Sequence, residues 1–567
     1  MLTILALDPV RFPPKARDMK DAISLMPSVS APRAGSPRAP GRPVWSEGLR
    51  QALPLLALFA FTLAFRSIHF GNPDVDFDEP FYLLVGDQML HGKLPYVDLW
   101  DRKPVGLFLI YAAIRLLGGT GFTEYLVVAA LFAFATAAFI WMIARRWLAP
   151  WPALLPAVCY IVWLEPYSGG GGQTAIFYNL FIIAAFWLVL RARDIGRPAT
   201  TLRHAALAML LVGVSIQIKY TVVAEGAFFA LGFLWLLWRQ GMPLVRVAAA
   251  ACGLAALALV PTALAIGWYA AIGQLQPFVY ANFISLFERG HLQDFYIREN
   301  LGFIQIVGLP LAAVAVLGLG RMTGSTEMRA DMPWMIGWVV ASVAGFVMIG
   351  NFYYYYFMPV LVTLSLAAAP NLRERGWGLG VYALLLAWPF YLGLGPSPQS
   401  DTLRTRSIDT LARFIAPHVD ADHCLYVFDG PTALYMKTHS CLPATRFVYP
   451  DHLTNDVERP ALGADSVAEL RGVLAARPGA IVTAGPKVVP VVNAANVRQM
   501  EAALTRDYYP VARVGHAWRI ITVWGLKHGP GASAEGNAWQ PAQPIRLYPP
   551  TARWHDAGAP KAPLRNS

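Results

Sequence analysis

Leu53-Pro-Leu-Leu-Ala-Leu-Phe-Ala-Phe-Thr-Leu-Ala-Phe-Arg-Ser-Ile-His-Phe70 is followed at once by Gly71-Asn-Pro-Asp-Val-Asp-Phe-Asp-Glu-Pro80. The first segment is apolar over about the 20 residues needed to cross a bilayer core of ~30 Å. The second carries four acids in six residues, Asp74, Asp76, Asp78 and Glu79. A membrane span that empties into an acidic loop sets the reading of the whole chain. Arg50 and a basic, Pro- and Ser-rich segment precede the span, so the positive-inside rule predicts a cytoplasmic N-terminus and an acidic loop on the outer face.

The pattern continues along the chain. The 567 residues are 56% hydrophobic and only 14% charged, and the mean hydropathy is +0.44. Soluble domains carry roughly 25% charged residues. Further spans are expected near 122–143, 150–164, 176–190, 203–218, 221–238, 246–268, 302–319, 333–350, 354–370 and 377–395, eleven in all. Each expected inner connection holds arginine, for instance Arg145-Arg146, Arg191 and Arg193, Arg239, Arg321, and Arg373 with Arg375. That distribution accounts for the net charge of +11 without nucleic acid as a partner.

The expected organisation is a disordered cytoplasmic tail over 1–49, a membrane domain over 50–395 with outer loops 71–121 and 269–301, an outer α/β domain over 396–540, and a flexible tail over 541–567. Val105–Leu117 is too short to span and is expected to lie on the outer surface. In the α/β part, strands are expected at Cys424–Phe428, Ala480–Val482 and Trp518–Trp524, and helices at Ser466–Ala476 and Val497–Leu504. Cys424 and Cys441 either pair, if that part meets an oxidising compartment, or remain thiols. Cys159 and Cys252 fall inside apolar runs and are expected to be packing residues.

Pro80 suits the first position of a helix. Asp78 or Glu79 would then cap a helix lying at the membrane surface and ending near Gly92, with Phe81, Leu84, Val85 and Met89 on its apolar face. Capping explains one acid. It does not explain six acids (Asp74, Asp76, Asp78, Glu79, Asp98, Asp101) in one loop with Arg102 and Lys103. Sugar transfer from a phosphate-linked donor needs a base for the acceptor hydroxyl and cations for the leaving phosphate. This loop offers both.

Asp78-Glu79 after the first span and Trp100-Asp-Arg-Lys-Pro-Val-Gly106 before the next helix resemble the GT-C glycosyltransferases. Among these the chain is most similar to glycosyltransferase family 39, the bacterial relatives of protein O-mannosyltransferases, and more distantly to the lipid A aminoarabinose transferases. The resemblance covers the eleven spans, the loop motifs and the α/β part, and so most of the chain. It implies a polytopic α-helical fold with a periplasmic α/β domain in a bacterial inner membrane. It also implies inverting transfer of a sugar from a polyprenyl-phosphate donor to a hydroxyl acceptor. On this resemblance Asp78 is the catalytic base, and Glu79 either positions it or binds the acceptor. Lys103 and Arg102 face the donor phosphate, joined by Lys219, since family members often carry a lysine there. Lys219 could instead be a lysine snorkelling at a helix end.

Asp101, Glu165, Arg289, His291 and Tyr355 are candidate substrate contacts. Glu288-Arg-Gly-His291 also reads as a solvated charge cluster, and the run Asn351–Phe357 as an interfacial tyrosine belt. The second outer loop, Glu165-Pro-Tyr-Ser-Gly-Gly-Gly-Gly-Gln-Thr-Ala175, departs from the family pattern. Relatives often carry an acid where Gln173-Thr174-Ala175 stands; a divalent metal stays open as a cofactor, without a clear ligand set in the sequence. The glycine run is expected to be a flexible turn, with an amide cradle for phosphate as the sharper alternative. The other class of function considered is a transporter or flippase of a lipid-linked saccharide. That class should show internal repeats and charges at mid-membrane depth, and the sequence shows neither.

Overall fold

The computed structural model describes residues 44–532 apart from Ile349, Val488 and Pro490, with no side-chain description for 44–51 and Arg375. Of the two expected tails, only 44–49 lie within the described residues, where they open the helix Val44–Arg66.

A helix stands at every one of the eleven expected spans. Nine are long and apolar enough to cross a bilayer, among the described residues: Ala52–His69, Phe122–Ala144, Thr174–Ile195, Pro198–Ile216, Tyr220–Arg239, Leu244–Ala271, Asp294–Gly324, Thr326–Val347 and Tyr354–Arg373. The chain is a multi-pass membrane protein. The other two, Leu154–Leu164 and Arg375–Tyr391, are helices of 11 and 17 residues. At 1.5 Å per residue they rise roughly 16 and 25 Å, less than the ~30 Å core. Leu154–Leu164 stops where Glu165-Pro166 opens a 3₁₀ turn, since proline lacks the N–H that would continue the ladder.

Local rules place the ends. Thr174–Ile195 closes on Gly196 at φ +66°, the left-handed cap that favours glycine. One end of the bundle is clamped by charge. Asp331 is fully buried and accepts from Arg146 at 2.8 Å, Arg193 at 2.6 Å and the Trp147 indole at 2.7 Å. Three helices are joined there, and each buried charge is paired, as burial requires.

Two short helices depart from the expected surface placement. In Glu79–Leu90, residues 79–86 are all buried. In Val105–Arg115, Val105, Leu107, Phe108, Tyr111, Ala112 and Ile114 are buried. Gly86 lets the two helices touch, since a Cβ there would sit 2.6 Å from the Ala112 nitrogen. The acidic loop is therefore built into the core of the molecule.

After Pro398 the chain forms a helix, Pro398–Ile415, and a four-stranded sheet: β1 (Leu425–Val427), β2 (Ala480–Gly485), β3 (Tyr508–His516) and β4 (Arg519–Leu526). The order is β1-β2-β4-β3, with β1 parallel to β2 and the other pairs antiparallel. Helices Ser466–Ala475 and Ala494–Asp507 connect these strands. The Asp465 carboxylate caps the first, accepting from the Val467 N–H at 2.9 Å. Cys424 and Cys441 form a disulfide; Cys159 is buried and Cys252 is exposed on the apolar helix Leu244–Ala271.

Candidate active site

The Trp100-Asp-Arg-Lys motif is placed by one anchor. The Trp100 indole is 1% exposed and belongs to the hydrophobic core of the C-terminal part, beside Phe447 and His452. The Trp100 backbone N–H donates to the Arg446 carbonyl at 2.8 Å. Asp101 then accepts from the backbone N–H groups of Arg102 (2.5 Å) and Lys103 (3.1 Å), a local turn of the kind aspartate favours. The two cationic side chains that follow enter a cavity of about 1020 Å³.

Asp78 stands in the same cavity. A side-chain cap needs extended backbone at the capping residue; Asp78 is helical, at φ −78° and ψ −38°, and makes no cap hydrogen bond. Its carboxylate turns to other donors. The Tyr449 hydroxyl donates to Oδ1 at 2.6 Å, and Tyr82 donates to Oδ2 at 3.0 Å. Gln173 bridges it to Asp76, donating to Asp76 Oδ1 at 3.0 Å and reaching Asp78 Oδ2 at 3.4 Å. Burial works to raise the Asp78 pKa, but the Lys103 charge and these donors together hold it below the ordinary carboxylate range. Asp76 goes the other way: burial and the Asp78 charge push it up to about 6. Two carboxylates on one loop thus have opposite proton preferences.

Glu79 lies apart from the cavity lining. It is fully buried against the glycine run and Tyr125, and burial with the nearby Asp76 charge raises its pKa well above the usual range. The glycine run is a packed element and not the flexible turn expected. Arg66, itself buried, donates to the carbonyls of Gly169 (2.7 Å), Gly170 (2.9 Å) and Gly171 (2.8 Å), and Tyr111 donates to Gly172 O at 2.8 Å. A Cβ on Gly171 would sit 1.9 Å from Glu79 Oε2. The carbonyls, and not an amide cradle, are what this turn engages.

Arg102 and Arg289 both line the cavity and both pair with Glu458, Arg289 at 2.6 Å. Lys103 lies 3.7 Å from Asp101 Oδ1 and 5.1 Å from the centre of the Tyr82 ring. Burial lowers the Lys103 pKa, and the Asp101 and Asp78 charges more than restore it, so the ammonium is retained. Lys219 follows the helix Pro198–Ile216 at an extended residue, φ −156°, and places its ammonium 4.0 Å from the Tyr356 ring centre. It lines a separate small pocket with Glu225 and Tyr355, and burial lowers its pKa. Glu165 Oε2 sits 3.1 Å from His69 Nε2, and His69 Nδ1 lies 2.9 Å from Asp401 Oδ2. Tyr355 lines the main cavity and stacks on Tyr353. His291 is exposed and absent from the lining.

The structure thus brings Asp78, Asp101, Arg102, Lys103, Glu165, Arg289 and Tyr355 to one cavity, and leaves Glu79, Lys219 and His291 outside it. Sequence reasoning missed the wall supplied by the C-terminal part: Tyr449, Asp451, His452 and Glu458, with His516 placed 2.6 Å from Asp74. No short-range pattern marks these residues, because their roles arise from contacts with a loop hundreds of positions away. Among the described residues no group of three or more His, Cys, Asp or Glu side chains could hold a metal ion.

No protein-family model matches the chain, and no curated protein sequence matches it. Solved structures do. ArnT from Cupriavidus metallidurans in the apo state aligns with a TM-score of 0.53 and 15% identity, over 84% of this chain and 98% of that one. The same protein bound to undecaprenyl phosphate aligns with a TM-score of 0.53 and 14% identity, over 88% and 100%. The Archaeoglobus fulgidus oligosaccharyltransferase tethered with an acceptor peptide aligns at 0.49 and 11% identity, over 77% and 69%. The likeness to ArnT fixes the fold as GT-C, a helical membrane domain with a C-terminal α/β part.

Proposed function

We propose that this chain is an integral-membrane inverting glycosyltransferase, moving a sugar from a polyprenyl-phosphate donor to an acceptor hydroxyl in the cavity. The observation that carries the reading is Asp78: a carboxylate held by Tyr449, Tyr82 and Gln173 at the wall of one cavity that also takes in Arg102, Lys103 and Arg289. The undecaprenyl phosphate bound by the ArnT structure of the same fold supports a lipid-phosphate donor. We place the N-terminus on the cytoplasmic side of a bacterial inner membrane, with the cavity and the α/β domain (396–540) on the periplasmic side and the membrane domain over 50–395.

In this mechanism Asp78 accepts the proton of the acceptor hydroxyl as that oxygen attacks the anomeric carbon. The bond from that carbon to the phosphate oxygen breaks, and the electron pair leaves with the phosphate. Lys103, Arg102 and Arg289 stabilise the charge that develops there, with Lys219 adding positive potential from outside the cavity. Attack opposite the leaving group inverts the anomeric centre. Asp101 fixes the turn that aims Arg102 and Lys103. Glu165 and Tyr355 are cavity walls for the sugar or acceptor. Glu79 holds the glycine turn and the start of the helix that carries Asp78.

A second assignment of the base has one observation behind it. Asp76, with a pKa of about 6, is closer to the ideal for a general base near neutral pH. Asp78→Asn and Asp76→Asn separate the two. The base variant should lose roughly 10²–10⁴-fold in turnover of a polyprenyl-phosphate sugar while undecaprenyl phosphate binding persists. Turnover that survives in Asp78→Asn and is lost in Asp76→Asn would move the base to Asp76; survival in both would refute the carboxylate mechanism.

A further inference from the structure

Arg102 and Arg289 reach the cavity from separate loops and converge on one carboxylate. Arg289 Nη2 and Nε lie 2.6 and 2.7 Å from Glu458 Oε1, and Arg102 pairs with Oε2. Glu458 is 1% exposed yet lines the cavity. The loop backbone is tied to the same place, since the Gly290 N–H donates to the Val457 carbonyl at 2.9 Å. A buried carboxylate is tolerated only when paired, and two guanidinium groups left facing each other would demand an anion of their own. The guanidinium fork accepts carboxylate and phosphate through the same paired N–H donors.

We infer that Glu458 is an internal stand-in for the donor phosphate: its carboxylate fills the seat between Arg102 and Arg289 in the unloaded protein, and the incoming lipid phosphate displaces it. The inference rests on the donor reading of the preceding subsection. It assigns Glu458 a role in the loading step rather than in chemistry. Exchange of one anion for another keeps the two arginines neutralised throughout, so neither state leaves them facing each other bare. Glu458 also closes a segment that begins at Tyr449, whose hydroxyl holds Asp78 Oδ1, and continues through the helix Pro450–Thr454. Displacing Glu458 therefore loosens the element that covers Asp78, and donor loading opens that carboxylate to the acceptor.

A purely structural Glu458 would position the arginines for the ligand, and its loss would weaken binding. The stand-in predicts the reverse. Undecaprenyl phosphate binding to the full chain in nanodiscs is compared for the native protein and Glu458→Gln. The expected result is an apparent Kd lower by roughly tenfold in the variant, because apparent affinity scales with the fraction of protein whose seat is vacant. An unchanged or higher Kd overturns the stand-in while leaving the donor reading intact. Absence of binding by both proteins overturns the two together. Hydrogen exchange on the native protein reads the same step without a substitution. Residues 449–458 should exchange faster once undecaprenyl phosphate is added, and equal or slower exchange there refutes displacement.

Discussion

Gly171→Ala tests whether the glycine turn is a packed part of the site. The added Cβ would lie 1.9 Å from Glu79 Oε2 and 2.5 Å from its carboxyl carbon, against a normal contact of 3.4 Å or more. The turn cannot retreat, because Arg66 holds three successive carbonyls of it within 2.9 Å. Glu79 is fully buried and begins the helix on which Asp78 is the preceding residue. Overpacking of this kind typically destabilises by about 1–3 kcal/mol. At this chain length that corresponds to a fall in Tm of roughly 1–3 °C by the size scaling of unfolding entropy. Displaced at its first residue, the helix shifts Asp78 relative to Arg102 and Lys103 in their shared cavity, so transferase activity should fall with stability. Shortening the obstructing side chain should undo the damage. In Gly171→Ala/Glu79→Ala the methyl group enters space the carboxylate vacates, and a double-mutant cycle on Tm should give a favourable coupling of about 0.5–3 kcal/mol. Equal Tm for Gly171→Ala and the native protein would refute the packed turn. A double variant that falls by the sum of the two single changes would refute the Glu79 contact.

The remaining predictions concern neighbouring groups. Asp76 has a folded pKa of about 6, raised by burial and the Asp78 charge, whereas Asp78 lies below the ordinary carboxylate range; with Asp78 as the base kcat/KM should stay flat as pH rises through about 6, and a rising limb there would move the base to Asp76. The same raised value means the folded state holds this proton more tightly than the unfolded chain. Its contribution to stability therefore declines as pH rises from about 4 to about 6 and is flat above, which a Tm series across that window checks. Trp100→Ala empties a fully packed site in the C-terminal core and should cost about 3–5 kcal/mol, with loss of donor binding because Arg102 and Lys103 lose their anchor. Opening the Cys424–Cys441 disulfide, which closes a loop of 17 residues, should destabilise the α/β part by about 3 kcal/mol in the chain-entropy picture; limited proteolysis with and without reductant reads it.

Much of the membrane architecture was legible because its signal is local. Apolar length and arginine placement identify a helix at each of eleven positions. What those signals do not carry is depth. Val105–Arg115 and Glu79–Leu90 are apolar and short, which reads as surface placement, yet Gly86 allows them to close on each other and both are buried. In the α/β part, β1, β2 and β4 and both connecting helices follow from composition, whereas β3 was missed. Its Tyr508-Tyr-Pro-Val-Ala-Arg-Val-Gly-His516 run contains a proline and two small residues that weaken a strand pattern. The irregularity between Pro510 and Ala512 marks the same point. At the site, the loop acids and cations were readable because they crowd one stretch of chain. Tyr449 and Glu458 were not, since each is an ordinary residue until the fold sets it against Asp78 or Arg102.

The bond between Tyr449 and Asp78 joins residues 371 positions apart. A chain elongating at about 5–20 residues per second inserts the Asp78 loop roughly 20–70 s before Tyr449 has been made. Throughout that interval the nascent protein carries an acidic loop and its two cations without the wall that completes their cavity. On the proposed reading the chain is therefore born latent, and competence arrives in a single late step, when the segment beyond the last membrane helix folds back onto a loop inserted long before it.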